Sequence, residues 1–305
     1  MNDSTAEHPA EHTAEHASQP ATTDPAQSAQ DGTGQDLAGL RIAVIGAGNM
    51  GGPVVRAFLA AGADPAQVQI VNSTPDSSRR AADELGVTAG ASRVETVTAA
   101  DVVILGVKPY QILDLAAELR DTLPAGARVI SLAAGITLAQ LERTLPAGQP
   151  VLRAMPNTPI AVGEGAVGLM AGSAVEEAQL EEAHALFARA GVVVDITEEQ
   201  VHAFIGAAGS LPGFAFAILE AMTDEAVRLG LKRDLADSLV QQTVRGAATM
   251  LLQSGVHPAV AKNGVSSPGG TTVEGLAALE SHGVRSGIAA AMAAAAQRSR
   301  DLTAG

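Results

Sequence analysis

One stretch, Arg41-Ile-Ala-Val-Ile-Gly-Ala-Gly-Asn-Met-Gly-Gly52, limits what this chain can fold into. Ile42 to Ile45 form a short apolar, mostly β-branched run, which reads as a buried strand. Gly46, Gly48 and Gly51 follow in G-x-G-x-x-G spacing, with Ala47, Asn49 and Met50 between them. That spacing lets a backbone bend sharply, approach a pyrophosphate closely and pack the next helix against its strand. Glycine turns are common, so the spacing alone is a weak signal. Here it opens a segment whose Val54, Val55, Phe58 and Leu59 lie on one helical face. The first turn of such a helix presents free N–H groups and the positive end of its dipole to a phosphate. The stretch predicts a dinucleotide-binding strand–turn–helix unit.

From Leu40 onward strands alternate with helices, which implies an α/β fold with a Rossmann-like, doubly wound parallel sheet. Strands are expected at 42–45, 68–72, 102–107, 128–132, 150–154, 166–170 and 192–196. Helices are expected near 51–62, 77–85, 94–99, 112–119, just after Thr137, and over 175–190. Beyond about Thr197 the strand signal ends. Helices are expected there over 201–208, 213–230, 232–254, 256–263, 271–282 and 284–300. The resulting division is a disordered tail (1–38), a nucleotide-binding domain (39–198) and an all-helical domain (199–305). Ala289–Ala296 is rich in small residues suited to close helix approach. With few aromatics to seal its apolar faces, the helical domain is expected to form a homodimer, a larger homo-oligomer being the alternative.

The net charge of −14 argues against nucleic acid or an anionic membrane as partner. Residues 1–36 hold seven of the acids and no Lys or Arg, so half of that charge sits in a low-complexity tail. The tail repeats Glu7-His8, Glu11-His12 and Glu15-His16, but Pro9 and the lack of a packing partner argue against a metal site there. There is no Cys, hence no disulfide framework or thiolate metal site. The N-terminus has neither the basic region nor the apolar core of a secretory signal, so a cytoplasmic protein is expected. The longest uncharged apolar run, Ala203 to Leu219, is interrupted by Gly206, Gly209, Pro212 and Gly213. It suits a buried helix pair or a subunit interface better than a membrane span.

Cofactor choice is legible after the second strand. Sites that prefer NAD usually place an Asp or Glu about 20 residues beyond the glycines, to bind the ribose 2′-hydroxyl. Here Asn72-Ser73-Thr74 stand there instead, with Arg79-Arg80 close behind. Small hydroxyls beside a guanidinium suit a 2′-phosphate, so NADPH is expected over NADH. Val107-Lys108-Pro109 and Ala133-Ala134-Gly135 follow later strands, at the carboxyl ends where open α/β folds bind ligands. Within the helical region, Lys262-Asn-Gly-Val-Ser-Ser-Pro-Gly-Gly-Thr-Thr-Val-Glu274 is not explained by packing. Helix capping accounts for one or two of its hydroxyls and no more. A Pro-Gly-Gly turn feeding a helix start aims several N–H groups at one point, which suits a carboxylate. His202, His257 and His282 have no partners at metal-ligand spacing and read as caps or surface residues.

Taken together, Ile45–Gly51, Val107–Pro109, Ala133–Gly135, Arg153-Ala-Met-Pro-Asn-Thr-Pro159 and Val265-Ser-Ser-Pro-Gly-Gly-Thr-Thr272 resemble the pyrroline-5-carboxylate reductases, over about Leu40 to Leu302. The resemblance implies NADPH-dependent reduction of 1-pyrroline-5-carboxylate to L-proline. It implies that Ser267, Gly270 and Thr271 hold the substrate carboxylate and that the Thr272 hydroxyl meets the ring nitrogen. It assigns NADPH to Gly46–Gly51, Ser73, Val107–Pro109 and Ala133–Gly135, and puts Asn157 near the nicotinamide. The chain departs from the family pattern at Leu211 and Phe214, where the family has glycine and tyrosine, and at Asn263, where it has aspartate. These changes bear on the substrate, so reduction of a related cyclic imine acid is the nearest alternative. A β-hydroxyacid dehydrogenase, which needs a catalytic lysine such as Lys232 or Lys262, is the more distant one.

Overall fold

A computed structural model describes residues 36–304, so the Glu-His repeat and nearly all of the acidic tail lie outside the described residues. The strands are β1 (Ile42–Ile45), β2 (Val68–Val71), β3 (Thr88–Ala89), β4 (Val102–Leu105), β5 (Arg128–Ser131), β6 (Val151–Pro156), β7 (Gly165–Ala171) and β8 (Gly191–Asp195). They form one sheet in the order β3-β2-β1-β4-β5-β6-β7-β8. Winding reverses between β1 and β4, which opens a crevice at the carboxyl ends of those two strands.

The sheet differs from the expected parallel one at β6 and β7, which pair antiparallel. The cause is chain length. Only Asn157–Glu164 join the two strands, whereas a parallel crossover takes about a dozen residues or more. The two-residue β3 was not expected, because so short a strand leaves no periodicity to read.

One face of the sheet is covered by α1 (Gly51–Ala61), α2 (Pro75–Leu85) and α6 (Glu177–Phe187). Phe58 and Phe187 meet there edge to face, 5.0 Å apart at 81°, both fully buried. Burial of side chains this size stabilises by roughly 2–3 kcal/mol each. The other face carries α3 (Arg93–Thr98), α4 (Ile112–Leu119) and α5 (Leu138–Thr144). At the end of the sheet remote from the crevice, Arg41 donates to Asp101 through Nε (2.9 Å), Nη2 (2.7 Å) and its backbone N–H (3.0 Å). That guanidinium holds the Asp101 carboxyl below its usual range.

After β8 the chain is helical. α7 (Val201–Phe204), a widened π-turn (Ile205–Gly209) and α8 (Leu211–Arg228) form a single helix, so the break expected between 208 and 213 is absent. Pro212 is tolerated because it falls in the opening turn of α8, just beyond the widened segment. α9 (Arg233–Ser254) packs on α8, and α10 (Pro258–Gly264), α11 (Thr271–Ser281) and α12 (Val284–Ala304) follow. α12 turns back onto α7 and the π-turn. A Cβ at Gly206 would lie 2.8 Å from the Met292 carbonyl oxygen, so only glycine permits this approach.

By length and hydropathy, Val201–Arg228 is the one helix among the described residues able to cross a membrane. Only 11% of its most apolar window is buried within the chain. Of the two readings of this run, a buried helix pair or a subunit interface, the first is only half made within one chain: α8 rests on α9, while Phe216, Ile218 and Met222 stay exposed.

Candidate active site

The glycine turn sits at the crevice. Gly46 adopts φ +102°, and its Cβ would lie 2.7 Å from the backbone of Gly106 and Val107. A Cβ at Gly51 would lie 2.1 Å from the Gly46 carbonyl oxygen, and one at Gly106 would lie 2.5 Å from the same atom. These three glycines let the turn, the start of α1 and the end of β4 touch backbone to backbone. Gly48 is different, since nothing lies within 4 Å of its Cβ position. No contact within the chain demands glycine there, but a ligand passing over the backbone would.

The N–H groups of Gly48, Asn49 and Met50 have no acceptor among the described residues. The N-terminus of α1 also has no side-chain cap and no acid in its first turn. A row of free donors at an uncapped helix start fits a pyrophosphate. Asn72 braces the turn from the end of β2. Its Oδ1 accepts from the Ala47 N–H (2.8 Å) and its Nδ2 donates to the Ser77 carbonyl (3.2 Å). Asn72 is a residue that sequence reasoning missed. In the sequence it reads only as the absence of an acid.

Ser73 is exposed with no hydrogen bond among the described residues, whereas Thr74 is spent on capping α2, accepting from the Ser77 N–H. Arg79 is ion-paired with Asp76, and Arg80 has no ion-pair partner among the described residues. Of the two arginines, Arg80 is the freer to meet a phosphate.

Val107 borders a cavity of about 320 Å³ with Arg93, Tyr110, Gln111 and Leu115, and Lys108 is exposed beside it. Pro109 opens a 3-10 turn into α4. On the neighbouring loop Ala133 is buried, Ala134 packs against the junction of sheet and helices, and Gly135 adopts φ +79°. The Leu302 carbonyl oxygen lies 3.3 Å from the Gly135 Cβ position, so the end of α12 abuts this loop.

Arg153 on β6 and Asn157 just beyond its end serve the junction. Arg153, 3% exposed, is ion-paired with Glu198, whose carboxylate also accepts from the Leu138 N–H at the start of α5 (2.9 Å). Asn157, which the resemblance puts near the nicotinamide, has both ends of its amide engaged within the chain. Oδ1 accepts from the Ala166 N–H (2.8 Å), and Nδ2 donates to the Ala208 carbonyl (3.1 Å).

The serine loop has a definite shape. The Gly270 N–H donates to the Ser267 carbonyl (2.9 Å), with Pro268 and Gly269 between them and Gly269 at φ +67°. Proline then glycine at positive φ makes a type II turn. Capping does not consume the hydroxyls: Gly270 precedes α11 with no side-chain cap, and Ser266 Oγ bonds back to the Lys262 carbonyl (2.7 Å). The hydroxyls of Ser267, Thr271 and Thr272 are exposed and have no partner among the described residues. Lys262 Nζ donates to the Asn263 Oδ1 (2.9 Å). Of the three histidines read as caps or surface residues, His257 caps α10, His282 ends α11, and His202 bonds Ser299 (2.8 Å).

α11 rests mainly on α12, and no hydrogen bond joins the loop to the crevice among the described residues.

Residues 198–302 match the family model described as pyrroline-5-carboxylate reductase dimerisation. Residues 41–135 match one described as NADP oxidoreductase, coenzyme F420-dependent, which spans the glycine turn through Gly135. A pyrroline-5-carboxylate reductase of Corynebacterium melassecola is 37% identical over 264 residues, covering 86% of this chain and 98% of that protein. The chain belongs to the pyrroline-5-carboxylate reductase family. A solved family member from Coxiella burnetii superimposes with a TM-score of 0.81 at 36% identity, over 87% of this chain and 98% of that one. A Plasmodium falciparum pyrroline carboxylate reductase, solved with NADP bound, shares the fold with a TM-score of 0.79 at 23% identity, over 88% and 99%. The reductase dimerisation match begins three residues after β8 and takes in the exposed apolar helix and the serine loop.

Proposed function

We propose that this chain reduces 1-pyrroline-5-carboxylate to L-proline with NADPH, as a cytoplasmic homodimer joined through its helical region. The observation that carries the reading is the type II turn at Ser267–Gly270, with three unengaged hydroxyls beside an uncapped helix start, in a chain of the reductase family. A carboxylate takes two or three such donors readily: the Ser267 and Thr271 hydroxyls are open to it, while the Gly270 N–H is spent on the Ser267 carbonyl and shapes the turn that presents them.

Bound NADPH would supply a hydride for the imine carbon, the C=N electron pair passing to nitrogen. A protonated imine is already electrophilic, so the protein's main task is alignment. Thr272 directs its hydroxyl to the ring nitrogen, where it bonds the N–H of the iminium and then of the amine. The turn Gly46–Gly51 holds the pyrophosphate. Ser73 with Arg80 takes the 2′-phosphate, and Val107–Pro109 and Ala133–Gly135 carry the remainder of the dinucleotide. The absence of a carboxylate at the end of β2, where Asn72 is already committed to the Ala47 N–H, favours NADPH over NADH.

Leu211, 41% exposed, and Phe214 give the substrate side an apolar wall, which motivates testing a larger ring. Purified protein should form proline from pyrroline-5-carboxylate with NADPH. It should show a higher kcat/KM on this imine than on the six-membered piperideine carboxylate. No proline formed would sink the reading, and a reversed preference would move the assignment to the larger imine.

A further inference from the structure

Asn157 stands at the end of β6 with only 8% of its surface exposed. Its bond to Ala208 answers a specific deficit. In an α-helix the carbonyl of residue i accepts from the N–H of residue i+4. For Ala208 that residue is Pro212, which has no N–H. The next amide, Gly213, donates to the Ser210 carbonyl (3.1 Å), and Ser210 donates back to Ile205 (2.8 Å), so neither serves Ala208. The orphaned carbonyl is met from another part of the fold by Asn157 Nδ2 at 3.1 Å. The same side chain grips β7 through the Ala166 N–H (2.8 Å), and its backbone N–H donates to the Ala166 carbonyl (3.1 Å).

We infer that Asn157 is a positioning residue, which replaces the N–H missing at Pro212 and so pins the π-turn to the end of the sheet. The turn leads directly into Leu211 and Phe214, and β6 lies beside β5, from which the Ala133–Gly135 loop departs. Asn157 thereby sets the spacing between the cofactor side and the substrate wall. The inference deepens the reductase reading above and rests on it for its kinetic readout.

The test is a cycle of Asn157→Ala, Pro212→Ala and the double variant. Asn157→Ala should lower kcat about tenfold, with the NADPH Kd within about twofold of the parent, because alignment is lost and cofactor contacts are kept. Pro212→Ala restores a backbone donor to Ala208, so the double variant should regain at least about half of the lost kcat. If Asn157→Ala does not fold, the double variant should fold. A rise in NADPH Kd with kcat unchanged would instead make Asn157 a cofactor ligand. An additive cycle, or a double variant no better folded than Asn157→Ala, would also overturn the inference. A parent enzyme inactive on pyrroline-5-carboxylate would refute the function, while the folding arm would still report on the missing donor.

Discussion

Gly48→Ala separates the two reasons a glycine can occupy this turn. At Gly51 the reason is packing: an added Cβ would sit 2.1 Å from the Gly46 carbonyl oxygen, far inside the 3.4 Å at which ordinary contact begins. The start of α1 would have to move by more than an ångström against a buried strand. Over-packing of this kind costs about 1–3 kcal/mol or more, which lowers Tm by roughly 2–5 °C or more for a chain of this size. At Gly48 an added Cβ meets nothing within 4 Å, and φ lies outside the left-handed region. Gly48→Ala should keep or raise Tm slightly, since alanine reduces the freedom of the unfolded chain by about 0.4–1 kcal/mol. Yet the new methyl would stand between backbone and pyrophosphate, and NADPH should bind roughly tenfold to a hundredfold more weakly. Thermal melts without ligand, together with fluorescence titration by NADPH, measure both quantities. Gly48→Ala binding NADPH as the parent does, or melting as early as Gly51→Ala, would refute a phosphate over this backbone.

Thr272→Ala should lower kcat by roughly tenfold to a hundredfold while NADPH affinity stays within about twofold; a loss confined to NADPH binding would remove Thr272 from the substrate site. Asp101→Asn should lower Tm at neutral pH and flatten its acid dependence. Asp101 is held below its ordinary value of about 3.9, so its contribution is complete above that value and fades as pH falls through the lower folded one. Tm measured from pH 7 downward in both proteins checks this, and identical slopes would contradict it.

Much of the fold was legible because β-branched runs and helical faces alternate cleanly from Leu40 to Thr197. The strand predicted at 42–45 is β1, residue for residue. The antiparallel pair was legible too, in principle. The stretch between the strands expected at 150–154 and 166–170 contains Pro156 and Pro159, and leaves no room for a crossover helix. The π-turn was not legible. Gly206, Gly209, Pro212 and Gly213 read as a break, because local sequence cannot show that α12 packs on Gly206 and that Asn157 serves Ala208.

Two asparagines show why the site was only partly legible. Each stands where a ligand contact is expected: Asn72 at the nucleotide end of β2, Asn157 in the motif that resembles a nicotinamide contact. Each turns its amide onto backbone instead, Asn72 onto the Ala47 N–H and Ser77 carbonyl, Asn157 onto the Ala166 N–H and Ala208 carbonyl. An amide carries a donor and an acceptor on one short stem, so it can bridge two backbone groups that no regular ladder serves. Sequence spacing places such a residue near a site but does not say whether its polar atoms are already taken. The hydroxyls of Ser73, Ser267, Thr271 and Thr272 stay unengaged among the described residues, although serine and threonine before a helix usually cap it. Three of these four frame the start of α11, where Gly270 offers no side-chain cap. Open hydroxyls at an uncapped helix start are consistent with the proposed assignment of the substrate carboxylate to this loop.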